Sequence, residues 1–211
     1  VRKVWQKLKR EGYVIARCTV ARLMQKLGIQ GVWRGKNKQT TRNRDDQKRA
    51  DDLVKRNFNA DHPKKLWVGE FTYIQTHSGW VYTAFVIDVF SRAIVGWKVS
   101  TRMNTDMVLD ALEQALHDRG MPKNVIHHSD RGVQYLSIRY TNRLEAANLR
   151  ASVGTTGDSY DNALAETVNG LYKTEVIEYL KADWQGLADV QLATLNWVDW
   201  FNKKRVHSAL G

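Results

Sequence analysis

The stretch Lys65-Leu66-Trp67-Val68-Gly69-Glu70-Phe71-Thr72-Tyr73-Ile74-Gln75 decides the fold. Its aromatic and β-branched residues fit a pleated strand, and His77-Ser78-Gly79 after it supplies a turn. Trp80 to Val89 is a nearly continuous apolar run, ended by Phe90-Ser91-Arg92, and Ala93 to Val99 reads as a third strand. The three predict an antiparallel meander at the front of a larger sheet. Glu70 stands in the middle of the first strand. An acid there is expensive to bury unless it is paired or bound to a metal ion.

Downstream, Asn104 or Thr105 caps a helix running through His117, with Val108, Leu109, Leu112, Ala115 and Leu116 on its buried face. Gly120 and Pro122 end it. Asn124 to Ser129 reads as a short buried strand, Ser137 to Asn148 as a helix, and Arg150 to Val153 as another short strand. After a Gly-rich loop, Asp161 to about Tyr179 forms a long helix, and Gly186 to Asn202 a last one carrying Trp197 and Trp200. The order β-β-β-α-β-α-β-α-α predicts an α/β fold, a mixed sheet flanked by helices.

Upstream, Val4, Trp5, Leu8 and Tyr13 form an apolar stripe among basic residues. Thr19 is the expected N-cap of a second helix, with Val20, Leu23, Met24 and Leu27 at helical spacing and Gly28 as its stop. Two readings stand side by side. One is a helix-turn-helix whose second helix enters a DNA groove through Arg17, Thr19, Arg22 and Lys26. The other is a small helical hairpin with a solvated basic face. Arg34 to Arg44 is basic and polar, reads as a linker or a DNA-tracking arm, and precedes a short helix expected over Asp45 to Phe58. Pro63 marks entry to the next domain. The expected organisation is a helix-turn-helix-like segment over residues 1–33, a basic linker over 34–64 and an α/β domain over 65–211.

Charge supports that division. Residues 1–64 hold 18 Lys and Arg against 6 Asp and Glu, whereas residues 65–211 hold 15 against 16. The excess of +11 therefore sits in the first third, which points to a polyanion partner such as nucleic acid. A solubilising basic tail is the plainer alternative. No apolar run reaches the length of a membrane span. Val1-Arg2-Lys3 leads into an amphipathic stretch and not a signal peptide, and the two ends read as those of a fragment. The single cysteine, Cys18, excludes an internal disulfide and a Cys-rich zinc site and fits a reducing cytosol.

Two more acids stand at informative places. Asp130 follows the buried strand, in His127-His128-Ser129-Asp130-Arg131-Gly132, and Glu166 lies in the first turns of the long helix. Oxygen donors suit hard divalent cations, and two such ions can clamp the attacking and leaving oxygens of an in-line phosphoryl transfer.

Asp130 and Glu166 are separated by 35 residues. With that gap go His128-Ser129-Asp130-Arg131-Gly132, then Gly157-Asp158-Ser159-Tyr160-Asp161-Asn162-Ala163-Leu164-Ala165-Glu166, Trp67 to Ile74, Val86 to Arg92 and Trp200 to Gly211. Together they resemble the integrase core of bacterial insertion-sequence transposases. The resemblance is to the group whose protein is made by joining two reading frames, and to its second-frame product. It covers essentially the whole chain. It implies a ribonuclease-H-like fold with a mixed five-stranded sheet, and the triad Glu70, Asp130 and Glu166 binding Mg²⁺ or Mn²⁺, two ions, with no small-molecule cofactor. It implies cleavage at transposon ends and strand transfer into target DNA, in a homodimer or larger assembly on DNA, in the bacterial cytoplasm and away from membranes. Lys173, seven residues past Glu166, matches a basic residue that contacts the DNA end. The group has Asp where this chain has Glu70, which is longer by one methylene.

Several residues have competing readings. Asp88 is a rival first acid, or a turn cap and partner of Arg92. His127 and His128 point to opposite faces, so at most one meets the site. Asp158 offers extra acid, and Asp161 reads as the N-cap of the long helix. Trp197 and Trp200 read as core, with base stacking the alternative, and Arg205 and His207 as contacts to DNA or a neighbouring subunit. Two functions compete with an active transposase: a catalytically impaired DNA-binding variant, favoured by Glu70, and a stand-alone ribonuclease.

Overall fold

The structure is a computed structural model and describes residues 1–31, 50–154, 162–180 and 183–207. It divides into two compact units, Val1–Lys38 with Lys204–Gly211, and Gln39–Lys203.

In the first unit, helix α1 (Arg2–Arg10) and helix α2 (Arg17–Lys26) form the expected pair. The Trp5 indole N–H donates to the Ile15 carbonyl (2.8 Å), tying α1 to the chain entering α2. Val20 and Met24, four residues apart, are the buried positions of α2. The helix starts two residues before the expected cap. Ala16 holds the N-cap position in extended conformation and makes no side-chain cap bond, while Thr19 lies inside the first turn. The helix ends at Lys26, where the Gly28 and Ile29 N–H groups return to the Gln25 and Met24 carbonyls. In the same unit Arg205 and Val206 are buried.

The second unit is a five-stranded mixed sheet flanked by helices. Its strands are β1 (Leu66–Thr76), β2 (Gly79–Asp88), β3 (Ile94–Ser100), β4 (Ile126–Ser129) and β5 (Arg150–Val153). The spatial order is β3-β2-β1-β4-β5, with the first three antiparallel and β4 and β5 added in parallel. The helices are α3 (Thr105–Asp118), α4 (Ile138–Ala146), α5 (Ala163–Tyr172) and α6 (Leu187–Lys203). Asn104 and Ser137 cap α3 and α4 by accepting from the Met107 and Tyr140 N–H groups. Among the described residues no helix is long and apolar enough to cross a membrane.

Alternation along β1 splits the core in two. Trp67 packs on one face with Val86, Leu112, Leu116 and Tyr140 under α3 and α4. Leu66, Val68 and Ile74 pack on the other with Phe85, Tyr172, Trp197 and Phe201 under α5 and α6. Helix α3 lies directly on β3 at Gly96, where a Cβ atom would stand 2.0 Å from the Ala111 carbonyl oxygen.

Three expectations change. The chain over residues 50–58 is not helical; the Asp52 carboxylate accepts from the Val54 and Lys55 N–H groups and folds it into a turn. The rest of that expected helix lies outside the described residues, as do most of the linker, Asp158 and Asp161. The long helix is α-helical only to Tyr172, then π-helical over Lys173–Glu178. There the Thr174 hydroxyl donates to the Gly170 carbonyl (2.8 Å) and competes for the helix ladder. Trp197 is core, whereas Trp200, three residues along α6, is 40% exposed.

Candidate active site

The site forms where β4 stops. Its parallel ladder with β1 runs from the pair Leu66 and Ile126 to the pair Gly69 and Ser129. The next residues in that register are Glu70, which continues β1, and Asp130, where the chain leaves the sheet. Both follow the parity of Val68 and His128, so they belong to the α5 face.

Beyond Gly69 the edge of β1 has lost its strand neighbour, and its carbonyls need other donors. Helix α5 supplies them. The Asn162 amide donates to the Gly69 carbonyl (3.1 Å), and the Asn169 amide donates to the Phe71 carbonyl (3.2 Å). Asn162, Glu166, Asn169 and Lys173 recur at steps of four, three and four residues, one stripe of a helix. The two amides therefore clamp that stripe on either side of Glu70, with Glu166 between them.

Glu70 is buried, at 9% exposure. Its Oε1 accepts from the Phe71 N–H (3.2 Å), and its Oε2 accepts from the Asn162 amide (2.7 Å). Burial raises its pKa well above the ordinary glutamate range, and the charges of Asp130 and then Glu166 push the same way. Asp130 is also raised, by burial, against a bond from the Gly132 N–H to its Oδ1 (2.9 Å). Gly132 is needed for that approach, since a Cβ there would lie 2.9 Å from the same oxygen. The Arg131 guanidinium donates to the Gly154 carbonyl (2.8 Å) and pins the loop to the end of β5.

The structure thus brings Asp130 and Glu166 close enough for their charges to act on Glu70. The chemistry of the three acids, oxygen donors with two of them held above their ordinary pKa, suits a hard divalent cation. Their rotamers do not converge: among the described residues no group of three His, Cys, Asp or Glu side chains is placed to hold an ion.

The neighbouring residues sort by face. His128 shares the acid face and contacts the Ser152 hydroxyl through Nδ1 (2.8 Å), with Asp52 at 3.9 Å. His127 points the other way, onto Tyr140 (3.2 Å from Nε2), and burial pushes its pKa down to about 4. Asp88 is saturated. It accepts from the Lys64 N–H and the Trp67 indole through Oδ2, and from the Ser91 N–H and hydroxyl through Oδ1. It is a turn cap, with Ser91 as its partner.

Lys173 reaches the surface with its ammonium 4.7 Å from the Tyr73 ring centroid, and Tyr73 packs edge-to-face on Trp80. In α2, Arg17, Arg22 and Lys26 are exposed and Thr19 is half-buried. At about 100° per residue, Thr19, Arg22 and Lys26 share a face, while Arg17 lies about 140° or more from Arg22 and Lys26. Arg17 therefore leaves the predicted recognition face.

Sequence reasoning missed Asn162 and Asn169. Its signal was present, since both lie on the stripe of Glu166, but a buried amide needs a known acceptor before it means anything.

Comparison with known proteins agrees with this architecture. Residues 1–37 match the HTH-like domain family, and residues 60–159 and 147–211 match integrase core domain families. The chain is 56% identical, over all of its 211 residues and 70% of the relative's length, to the transposase for insertion sequence element IS629 of Shigella sonnei. Its fold is similar to a chain of the simian T-cell lymphotropic virus intasome, solved with the PP2A regulatory subunit B56 gamma. There the TM-score is 0.61 and the identity 17%, over 78% of this chain and 56% of that one. It is also similar to the HTLV-2 integrase catalytic core domain in complex with magnesium. That match has a TM-score of 0.56 and 19% identity, over 72% of this chain and 95% of that one.

Proposed function

The chain belongs to the insertion-sequence transposases built on the integrase core, and on that premise we propose that Glu70, Asp130 and Glu166 carry its metal-dependent DNA cleavage and strand transfer. The carrying observation is geometric: Glu70 and Asp130 are adjacent positions where the β1–β4 ladder ends, and Asn162 and Asn169 fix the helix stripe that carries Glu166 to β1 on either side of Glu70. Burial and the charges of Asp130 and Glu166 disfavour a bare carboxylate at position 70, and a shared cation would offset that cost.

The three carboxylates would hold Mg²⁺ or Mn²⁺, two ions, which when bound lower the cost of charge on the attacking and leaving oxygens. Water attacks the phosphodiester at the transposon end, and the leaving strand departs as a 3′-hydroxyl. That hydroxyl then attacks a target phosphodiester, joining its oxygen to the phosphorus as the target's own 3′-oxygen leaves as a hydroxyl, and no covalent bond to the protein forms. Asp130 is held at the strand end by the Gly132 N–H, and Glu166 by the α5 clamp on β1. Lys173 binds the backbone of the transposon end, and Thr19, Arg22 and Lys26 bind duplex DNA from α2. Residues 1–33 serve as the DNA-binding segment, 34–64 as the linker and 65–211 as the core. Joining two ends requires a dimer or larger assembly on DNA, acting in the cytoplasm on the nucleoid.

The test is nicking of a duplex ending in the element's terminal repeat. Cleavage requires Mg²⁺ or Mn²⁺, disappears in Glu166→Gln, and is weaker on an RNA–DNA hybrid. Equal cleavage with a chelator, or by Glu166→Gln, contradicts the reading.

A second reading is favoured by one observation: both Glu70 oxygens are already engaged, by Asn162 and Phe71. On that reading the chain binds transposon ends but cleaves them poorly. It predicts end binding with little nicking, and nicking gained in Glu70→Asp.

A further inference from the structure

Asn162 does more than its helix-face twin. Asn169 gives its amide to one strand carbonyl, that of Phe71. Asn162 gives its amide to two acceptors at once, the Gly69 carbonyl at 3.1 Å and the Glu70 carboxylate Oε2 at 2.7 Å. Both acceptors need hydrogen, so the amide orientation is fixed by chemistry: nitrogen toward β1, oxygen away. The residue is 5% exposed, and its Oδ1 is buried without a hydrogen-bond partner among the described residues. Asn169 Oδ1 is likewise buried without a hydrogen-bond partner among the described residues, so it is the second acceptor, the Glu70 carboxylate, that sets Asn162 apart.

We infer that Asn162 is a positioning residue for the first acid, and that it is matched to glutamate at position 70. The inference rests on the proposed metal-binding role of Glu70. The amide spans from the backbone of Gly69 to the far end of the Glu70 side chain. Together with the Phe71 N–H on Oε1, it orients the carboxylate from two sides. Removing one methylene draws the carboxylate back by about 1 Å or more, out of reach of an amide still anchored on Gly69. Glutamate at 70 is therefore part of a pair, and its extra length is taken up by Asn162. A strand-edge cap alone would make the same contribution whatever residue stood at position 70. Outer partners that orient metal ligands typically change affinity by about 10- to 100-fold when removed.

The test is a double-mutant cycle on the full chain without DNA, reading Mn²⁺ binding from the loss of the free-ion electron paramagnetic resonance signal. The four proteins are the parent, Asn162→Ala, Glu70→Asp and the double variant, each with its melting temperature recorded. Asn162→Ala is expected to weaken Mn²⁺ binding about 10-fold in the parent and less than about 2-fold in the Glu70→Asp background. Asn162→Ser, which keeps a favoured helix-cap residue but is too short to bridge both acceptors, is expected to behave like Asn162→Ala and guards against a folding loss. Equal weakening in both backgrounds reduces Asn162 to a backbone cap and overturns the inference, as does unchanged binding in the parent. A parent that binds no Mn²⁺ at all is a different result, since it defeats the metal-binding reading itself.

Discussion

His127 and His128 are neighbours in one short strand, yet they belong to two different environments. His127 enters the α3/α4 face, among Trp67, Tyr135 and Tyr140, the face on which α3 meets β3 closely at Gly96. His128 enters the α5 face, where carboxylates, amides and a hydroxyl meet at the point where β4 ends. The first face fixes the strands. The second uses that fixed edge to hold charges that repel one another. The difference teaches where the cost of a polar site is carried: a rigid apolar layer backs a sheet whose other side can then be electrostatically unfavourable.

The largest expected effect breaks the rigid face. Gly96→Ala places a Cβ 2.0 Å from the Ala111 carbonyl, so α3 must lift off β3. We expect a loss of about 3 kcal/mol or more in chemical denaturation. Gly31→Ala, in open space, should change little. Similar small losses at both positions would mean that the close contact is not rigid.

Next comes pH, where the faces should have opposite signs. The folded pKa of His127 lies below its unfolded value of 6.5, at about 4, so the unfolded chain takes the proton first. Its contribution, about 3 kcal/mol, is full above pH 6.5 and is lost as pH falls toward 4. Glu70 has a raised folded pKa, so its contribution is present below the unfolded value and is lost as pH rises through the folded one. In chelator, His127→Gln should flatten the loss on the acid side, and Glu70→Gln the decline toward neutral pH. Denaturant melts across pH 4 to 8 check both, and parallel pH curves for all three chains would erase the contrast between faces.

Glu70→Asp sharpens the polar face. Shortening the side chain withdraws the carboxylate from Asn162 and should slow end cleavage by about 10- to 100-fold. A faster rate would instead favour the reading in which the chain binds ends but cleaves them poorly because of Glu70. The smallest effect concerns the clamp. Asn169→Ala strips the Phe71 carbonyl of its donor and should cost about 1–2 kcal/mol in thermal or denaturant unfolding.

The same contrast explains what could be read in advance. Strands β1 to β3 were legible as apolar, β-branched and aromatic runs bounded by turn residues, and helix α3 through its period of 3.6. The acids Asp130 and Glu166 were legible through the motifs around them. The π-helical turn at Lys173 was not, because a hydroxyl competing for the Gly170 carbonyl leaves hydrophobic spacing intact. The start of α2 was missed because Thr19 has cap chemistry, while the chain turns helical at Arg17 without any side-chain cap. The Asn162 bond to Glu70 was invisible because it depends on where β4 stops, a property of tertiary register.

The central claim is that Glu70, Asp130 and Glu166 act as one unit. The most direct measurement compares Mg²⁺-dependent cleavage and strand transfer at a terminal-repeat end by Glu70→Gln, Asp130→Asn, Glu166→Gln and the triple variant, with end binding measured in parallel. The account predicts that each single change lowers the rate by on the order of 1,000-fold or more, that the triple change adds little further, and that binding persists. A single variant that keeps the parent rate, or losses that multiply independently, would contradict it.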